Sequence, residues 1–285
     1  MGFLRTLRTD FCRMFLSGKF YSAAGAVAGI ALLSVWPEAQ SGGYRTSVYY
    51  LVNARGGISA FLLAISVLIV VPYALSGRED AQNHYVHCME SRAGLWNYTW
   101  SKIITASAGA FLAVFLGYAL CFGLLSLKLP VISADEVSAL SRQMGQGSLN
   151  LYDVLALKGP RILFFAAQFA TEGLGYAFMA GFAVMMSVKI ENVFVLLSVP
   201  IMFYYGSSFL AALFKAPGIF CWYYVMNGGG WLRQIAPSLG ILMLLILLYF
   251  GSLICLEGIV YYFWMKREGK TILLASHNRE DISVL

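Results

Sequence analysis

Long apolar runs alternate along the chain with shorter polar breaks, and the length of the runs decides the architecture. A membrane-spanning helix needs about 20 predominantly apolar residues. Six segments approach that length: 20–36, 58–76, 103–127, 162–188, 192–214 and 238–265. Hydrocarbon offers the backbone no hydrogen-bond partner, so each run predicts a helix. Pro72 and Pro200 fall inside the second and fifth runs and predict local kinks there. Between the fourth and fifth runs only "KIE" intervenes, which predicts a close antiparallel hairpin.

The polar breaks carry patterns of their own. In residues 1–19, Phe3, Leu7, Phe11 and Met14/Phe15 recur at helical spacing, while Arg5, Arg8 and Arg13 fall largely off that stripe. This predicts a basic amphipathic helix lying in the membrane interface, where cations favour anionic headgroups. A cleaved signal peptide is the rival, but the apolar run ends in "SVWPEA" with no small-x-small site beyond it. In residues 77–102, Tyr85, Val86, Met89, Ala93 and Trp96 form a second helical stripe, with His84, His87, Glu90 and Ser91 on the other side. Gly94 permits a turn before the chain becomes apolar again. The amphipathic face of this break is a candidate docking surface. In the break 215–237, Pro217 and Gly218 precede a dense set of aromatics: Phe220, Trp222, Tyr223, Tyr224 and Trp231. That predicts a re-entrant link at the outer interface, either an aromatic belt or a cap on an exit path.

Composition supports the membrane assignment. Of 285 residues, 59% are hydrophobic and 12% charged; a soluble domain has about a quarter charged. The chain reads as an all-α polytopic membrane protein, with an interfacial helix (1–19), a six-span domain (20–265) and a tail (266–285). The net charge of +6 is then a topology signal, not a nucleic-acid footprint. With six spans both termini share one side, and that side holds 12 of the 20 basic residues. The strongest clusters flank the first and last spans, so both termini are expected in the cytoplasm. Segments 37–57, 128–161 and 215–237 are then extracellular. The five cysteines are scattered at no redox or metal-ligand spacing.

Little in the chain suggests catalysis. "EGKT" at 268–271 lacks the earlier glycine of a phosphate loop, since Trp264 stands in its place, and no strand precedes it. His84, His87 and Cys88, with Glu79, Asp80 and Glu90 nearby, lack a second ligand pair at a zinc spacing and read as a solvated face. Neither a metal site nor an enzyme active site is expected. Glu172 and Glu257 interrupt the fourth and sixth spans, and an ionisable group there is costly. For Glu172, a polar element of a substrate path or a coupling ion pair and a protonated or hydrogen-bonded tie between helices remain open alternatives; for Glu257 the tie is favoured. Tyr204 and Tyr205 would suit an amphipathic cargo on the same path. Gly25 and Gly29 form a Gly-x-x-x-Gly pair that serves either a dimer seam or packing within the subunit.

The order "SGRED…ESRAGLWNYTWSKII" resembles the loop between spans two and three of type-two ABC exporter permeases. An acidic residue (Glu79 or Asp80), Ser91–Arg92, Tyr98 and Ser101–Lys102 stand in the family's order, with the third span beginning at the Ser-Lys pair. The glycine usual after the acidic stretch is replaced by His84 or a neighbour. The basic N-terminal helix, six spans and broken aromatic link extend the resemblance over nearly the whole chain. It implies a permease half in a bacterial cell membrane that pairs with a second copy or a paralogue and with a separate ATPase subunit. ATP and Mg would be bound on that partner, and this chain would carry no cofactor. Glu79, Asp80, Tyr85, Val86, Met89 and Arg92 would form a coupling helix seated in the ATPase. Spans one and five would line the dimer interface. The cargo would be a peptide or another amphipathic compound. The alternative is an ion-coupled secondary transporter using Glu172, although no internal repeat is visible.

Overall fold

The structure, a computed structural model, describes residues 2–40, 47–54, 59–73, 76, 80, 92–145, 151–190, 192–215, 217–227 and 229–283; for 54, 59–62, 219 and 268–283 only the backbone is described. Every regular element among them is helical. In chain order these are α1 (Phe3–Leu16), α2 (Gly18–Gln40), α3 (Val48–Ala54), α4 (Ser59–Leu68), α5 (Leu95–Ser126), α6 (Ala134–Gly145), α7 (Leu151–Lys158), α8 (Arg161–Met186) and α9 (Val193–Leu213). A 3₁₀ turn (Gly218–Phe220) and the short helices α10 (Trp222–Met226) and α11 (Leu232–Ile235) lead to α12 (Leu239–Ser283).

Five segments are long and apolar enough to cross a membrane: α2, α5, α8, α9 and Leu239–Arg267 of α12. This is the make-up of a multi-pass membrane protein. The expected second span is different. Its described helix covers ten residues, Ser59–Leu68, and residues 69–73 are turn. Ten helical residues rise about 15 Å, half of a hydrocarbon core. Pro72 explains where the helix stops. A proline cannot donate to the carbonyl four residues back and its ring clashes with it, and that residue is Leu68. The chain continues instead through tighter bonds, Val70 N–H to Val67 O at 3.2 Å and Val71 N–H to Leu68 O at 3.1 Å. Pro72 thus ends the helix, whereas Pro200 is accommodated inside α9.

α5 is the centre of the bundle, with α1, α2, α8 and α12 packed around it. Small residues make this position available to it. A side chain at Gly109 would run into Met14 of α1, and one at Gly117 would lie 2.7 Å from Val27 and 2.9 Å from the Ala24 carbonyl of α2. Close approach of this kind is how apolar helices gain packing energy where lipid supplies no hydrophobic drive. α8 uses the same device, with Met226 of α10 filling the notch at Gly175. α8 and α9 are packed neighbours joined by a tight turn, with Asn192 capping α9 through Phe194 N–H at 2.9 Å. α4 lies against both α2 and α9.

At the end away from α1, three short helices close the bundle. Val48 and Tyr49 N–H bond to the carbonyls of Pro130 and Val131, each at 3.0 Å. Ser133 and Glu136 cap α6 reciprocally, a capping box, and Glu136 also accepts from Ser47 Oγ at 2.7 Å. Tyr49 Oη donates to Asp153 of α7 at 2.7 Å. Burial and then the Asp153 carboxylate raise the Tyr49 pKa above its ordinary value.

Candidate functional site

α1 does not simply rest on the membrane with its apolar stripe. Its buried positions are Thr6, Asp10 and Met14, spaced four apart, and they face the protein. Phe3, Leu7 and Phe11 are only partly covered, and Leu4 and Leu16 are exposed. Asp10 is the only carboxylate in residues 1–19, and it meets a polar cluster at the start of α5.

Lys102, 1% exposed, is the hub of that cluster. Its Nζ lies 2.7 Å from Asp80 Oδ2 and 3.2 Å from Asp10 Oδ1. It donates to Tyr73 Oη at 3.0 Å, and Tyr73 Oη in turn donates to Asp10 Oδ1. Ser101 Oγ donates to the other Asp10 oxygen. Arg13 Nη2 completes the set, 3.2 Å from Asp80 Oδ1. Burial works against the Arg13 charge, but Asp80 more than compensates and raises its pKa. Two carboxylates thus face two cations, with hydroxyls filling further positions. A buried charge requires this kind of pairing, because the desolvation cost is several kcal/mol per ion. The Lys102 ammonium also lies 4.8 Å from the Tyr73 ring and 5.5 Å from the Tyr98 ring.

The cluster ties three parts of the chain together: α1, the turn after α4, and the first turns of α5. It also closes the break 77–102 on itself, since Asp80 near its start is bound to Lys102 at its end. Helix α5 begins at Leu95, eight residues before the expected start of the third span. "WNYTWSK" is therefore helical, and Gly94 ahead of it has φ +80°, a value that favours glycine.

Several expected residues can now be placed. Asp80 is buried in the cluster and Arg92 is exposed. Glu79, Tyr85, Val86 and Met89 lie outside the described residues, as do His84, His87, Cys88, Glu90 and Ser91. Gly25 and Gly29 are exposed on α2 with nothing within 4 Å of a Cβ, whereas Ala23, Ala24, Val27 and Ala31 on the opposite face pack inward. The glycine pair is therefore not used for packing within the subunit among the described residues.

Glu172, Tyr204 and Tyr205 do not share one cavity. Glu172 is buried and accepts from Gln168 Nε2 at 3.2 Å. Next to it Thr171 and Tyr152 share a hydrogen bond of 2.8 Å, with Arg233 over the Tyr152 ring at 5.6 Å. Tyr204 and Tyr205 instead line a cavity of about 30 Å³ with Ser66, Tyr176, Met226 and Asn227. That space suits one or two waters, not a cargo. Glu257 is buried, its carboxyl crowded against Gly181, with Ser107 near the same glycine. Neither Glu257 oxygen has a hydrogen-bond partner among the described residues, so of the expected protonated or hydrogen-bonded tie the hydrogen-bonded form is not seen among them.

The aromatic link is more deeply packed than a surface belt. Trp222, Val225, Met226 and Leu232 are buried. Trp222 Nε1 donates to Ser207 of α9 at 3.0 Å, and its ring packs against Phe178, Phe203 and Tyr204. Residues 268–271, the "EGKT" stretch, are helical backbone within α12.

Asp10, Tyr73 and Ser76, whose Oγ lies 3.5 Å from Lys102 Nζ, had no sequence signal strong enough to single them out. The one available clue was an acid on the non-apolar face of a basic helix. No protein-family model matches the chain, and neither a curated protein nor a solved structure matches it.

Proposed function

We propose that the chain is the transmembrane permease subunit of an ATP-driven exporter, coupled to a separate ATPase and moving a peptide or other amphipathic cargo out of the cell. The observation that carries this reading is the Lys102 cluster. Asp80, Tyr98 and Ser101–Lys102 are positions through which the chain resembles type-two exporter permeases, and they converge on one buried node with Asp10 of α1. A polar segment pinned at both ends to the same node is suited to act as a lever. Force applied to the intervening residues by a partner would reach α1 and α5 through Asp80 and Lys102, which meet at the node.

In this reading the chain performs no chemistry. ATP binding closes two ATPase subunits, residues 81–91 move with them, and α5 and α1 follow. Two permease subunits then shift against one another. The exposed Gly25/Gly29 face of α2 and the largely exposed α9 supply a seam between them. The 30 Å³ cavity within one subunit supports placing the cargo path between subunits.

Affinity purification of the full chain from its native membrane tests the reading. An ABC-type ATPase should copurify, and its hydrolysis should change when the complex is reconstituted in bilayers. A chain that purifies alone as a monomer and transports in response to a proton gradient without ATP would overturn it in favour of the ion-coupled alternative.

A further inference from the structure

Glu257 of α12 is buried, and neither of its carboxyl oxygens has a hydrogen-bond partner among the described residues. The buried Ser107 Oγ of α5 has none there either. Gly181 of α8 relates the two groups: a Cβ at that glycine would run into Glu257 Oε2 and lie 3.1 Å from Ser107 Oγ. Both unpartnered groups therefore border one point of a three-helix seam. At Gly258, the next residue, a Cβ would lie 3.0 Å from the Trp100 ring, so the seam is closed tightly beside the carboxyl.

No ion pair among the described residues reaches this carboxyl. The one charged residue of α5 is Lys102, already held by Asp10 and Asp80. On α8, Tyr176 lines the 30 Å³ cavity, and Glu172 is nine residues from Gly181, about 14 Å along the helix. α7 meets α12 at Met243, whose sulfur accepts from Tyr152, and α11 leads into the start of α12. Met243 is fourteen residues from Glu257, about 21 Å along the helix. Tyr152, Asp153, Lys158 and Arg233 on α7 and α11 thus belong to the far end.

We propose that Glu257 is a reversible proton-binding site, served by a route of tyrosine hydroxyls from the end of the bundle where the Lys102 cluster lies. An unpaired carboxylate in an apolar interior is so costly that the group takes up a proton instead. A metal cation does not suit the place. Glu257 and Ser107 bring three oxygens, where a hard cation takes about six or more. The route lies along the α5–α12 seam. Tyr261 follows Glu257 by four residues, about 6 Å along the helix, and is buried. It lies close to Tyr98 of α5 and within electrostatic reach of Asp80 and Asp10. The Tyr98 hydroxyl makes no hydrogen bond among the described residues, so it can turn to accept on one side and donate on the other. The Tyr98 ring lies 5.5 Å from Lys102 Nζ. On release, the O–H bond of Glu257 breaks and its electron pair stays on the carboxylate. Each hydroxyl accepts one proton and passes one on, and one proton reaches water at the cluster end. The bare carboxylate left behind makes the packing of α12 on α5 and α8 depend on proton occupancy. This inference is independent of the ATP-coupled reading, and its test involves no transport.

Infrared spectroscopy of the full-length protein in lipid nanodiscs near pH 7 tests it. A carbonyl band of a protonated carboxyl should be present, disappear in Glu257→Gln and survive in Glu172→Gln. If Glu257→Gln does not fold, Glu257→Asp assigns the band by displacing it. Transfer into D₂O should shift the band as the proton exchanges. Tyr98→Phe with Tyr261→Phe should slow that shift about a hundredfold, the lower end of what a positioned proton-transfer group contributes. Absence of the band from folded protein would show that Glu257 holds no proton and overturn the site. A band that does not shift in D₂O would make the proton a fixed structural one, and reversibility would fall. Unchanged exchange in the double tyrosine variant would overturn the route.

Discussion

Lys102 and Asp10 are 92 residues apart in sequence, yet Lys102 Nζ lies 3.2 Å from Asp10 Oδ1 inside a cluster of four charges of which Asp10, Asp80 and Lys102 are buried. Replacing Lys102 by methionine leaves Asp10 and Asp80 sharing one cation, Arg13. Removal of one partner from a buried pair costs about 3–5 kcal/mol. Lys102→Met should therefore lower the thermal unfolding midpoint in detergent sharply. Adding Asp10→Asn should restore part of the loss, because the uncompensated charge goes with it. Additive losses in the double variant would show that the pair does not act as a unit.

The lever makes a separate prediction. Met89 and Arg92 belong to the stretch expected to seat in the ATPase, and Arg92 is exposed. Substituting both with alanine should lower transport-linked ATP hydrolysis in the reconstituted complex by tenfold or more, equivalent to about 1.4 kcal/mol. Membrane insertion and the unfolding midpoint should stay near wild type. Normal hydrolysis in the double variant would count against the lever.

Two glycine sites should respond in opposite ways. Alanine at Gly117 meets Val27 and the Ala24 backbone of α2, which cannot both give way, and should cost about 1–3 kcal/mol. Alanine at Gly25 meets nothing within 4 Å and should leave stability unchanged or improve it by up to about 1 kcal/mol through helix propensity. Leucine at Gly25 and Gly29 together should leave the folded monomer intact yet abolish crosslinking between copies. Full crosslinking in that variant would place the dimer seam elsewhere.

Tyr49 offers a pH test at the opposite end of the bundle. Its pKa is raised above 10.0 by burial first and by the bond to Asp153 second. A raised pKa means that the neutral phenol is favoured by folding. Its stabilising contribution is fully present below pH 10 and is lost as the pH rises through the folded-state value. A tyrosinate absorbance titration should therefore show Tyr49 ionising later than exposed tyrosines, as the difference between wild type and Tyr49→Phe. A difference spectrum centred near pH 10 would mean that the Tyr49–Asp153 bond does not form.

The apolar runs alone determined five of the spans to within a few residues at most ends, since a helix is the form that satisfies a backbone in hydrocarbon. The larger displacements are informative. α5 starts eight residues early because "WNYTWSK", polar in composition, is covered by α1 and α12 and so helical without being apolar. In the second run the described helix ends at Leu68, because hydropathy counts Pro72 as one residue among many, while its ring acts on the carbonyl of Leu68.

The tertiary structure decided which polar residues meet. The sequence marked Asp80 and Lys102 by their order in the chain but carried no sign that Asp10 and Tyr73 would join them, because a contact between distant charges leaves no local periodicity. It marked Gly25 and Gly29 as a packing motif and left open what they pack against; Val27 and Gly117 fill the space between α2 and α5, and so the pair faces outward. It marked Glu172 and Glu257 alike as charges in apolar runs, left the role of Glu172 open and favoured a tie for Glu257, but could not name the partners of either. Only the neighbours separate them, Gln168 beside one and the Gly181 notch beside the other, because the cost of a buried carboxyl is set by what surrounds it and not by where it falls along the chain.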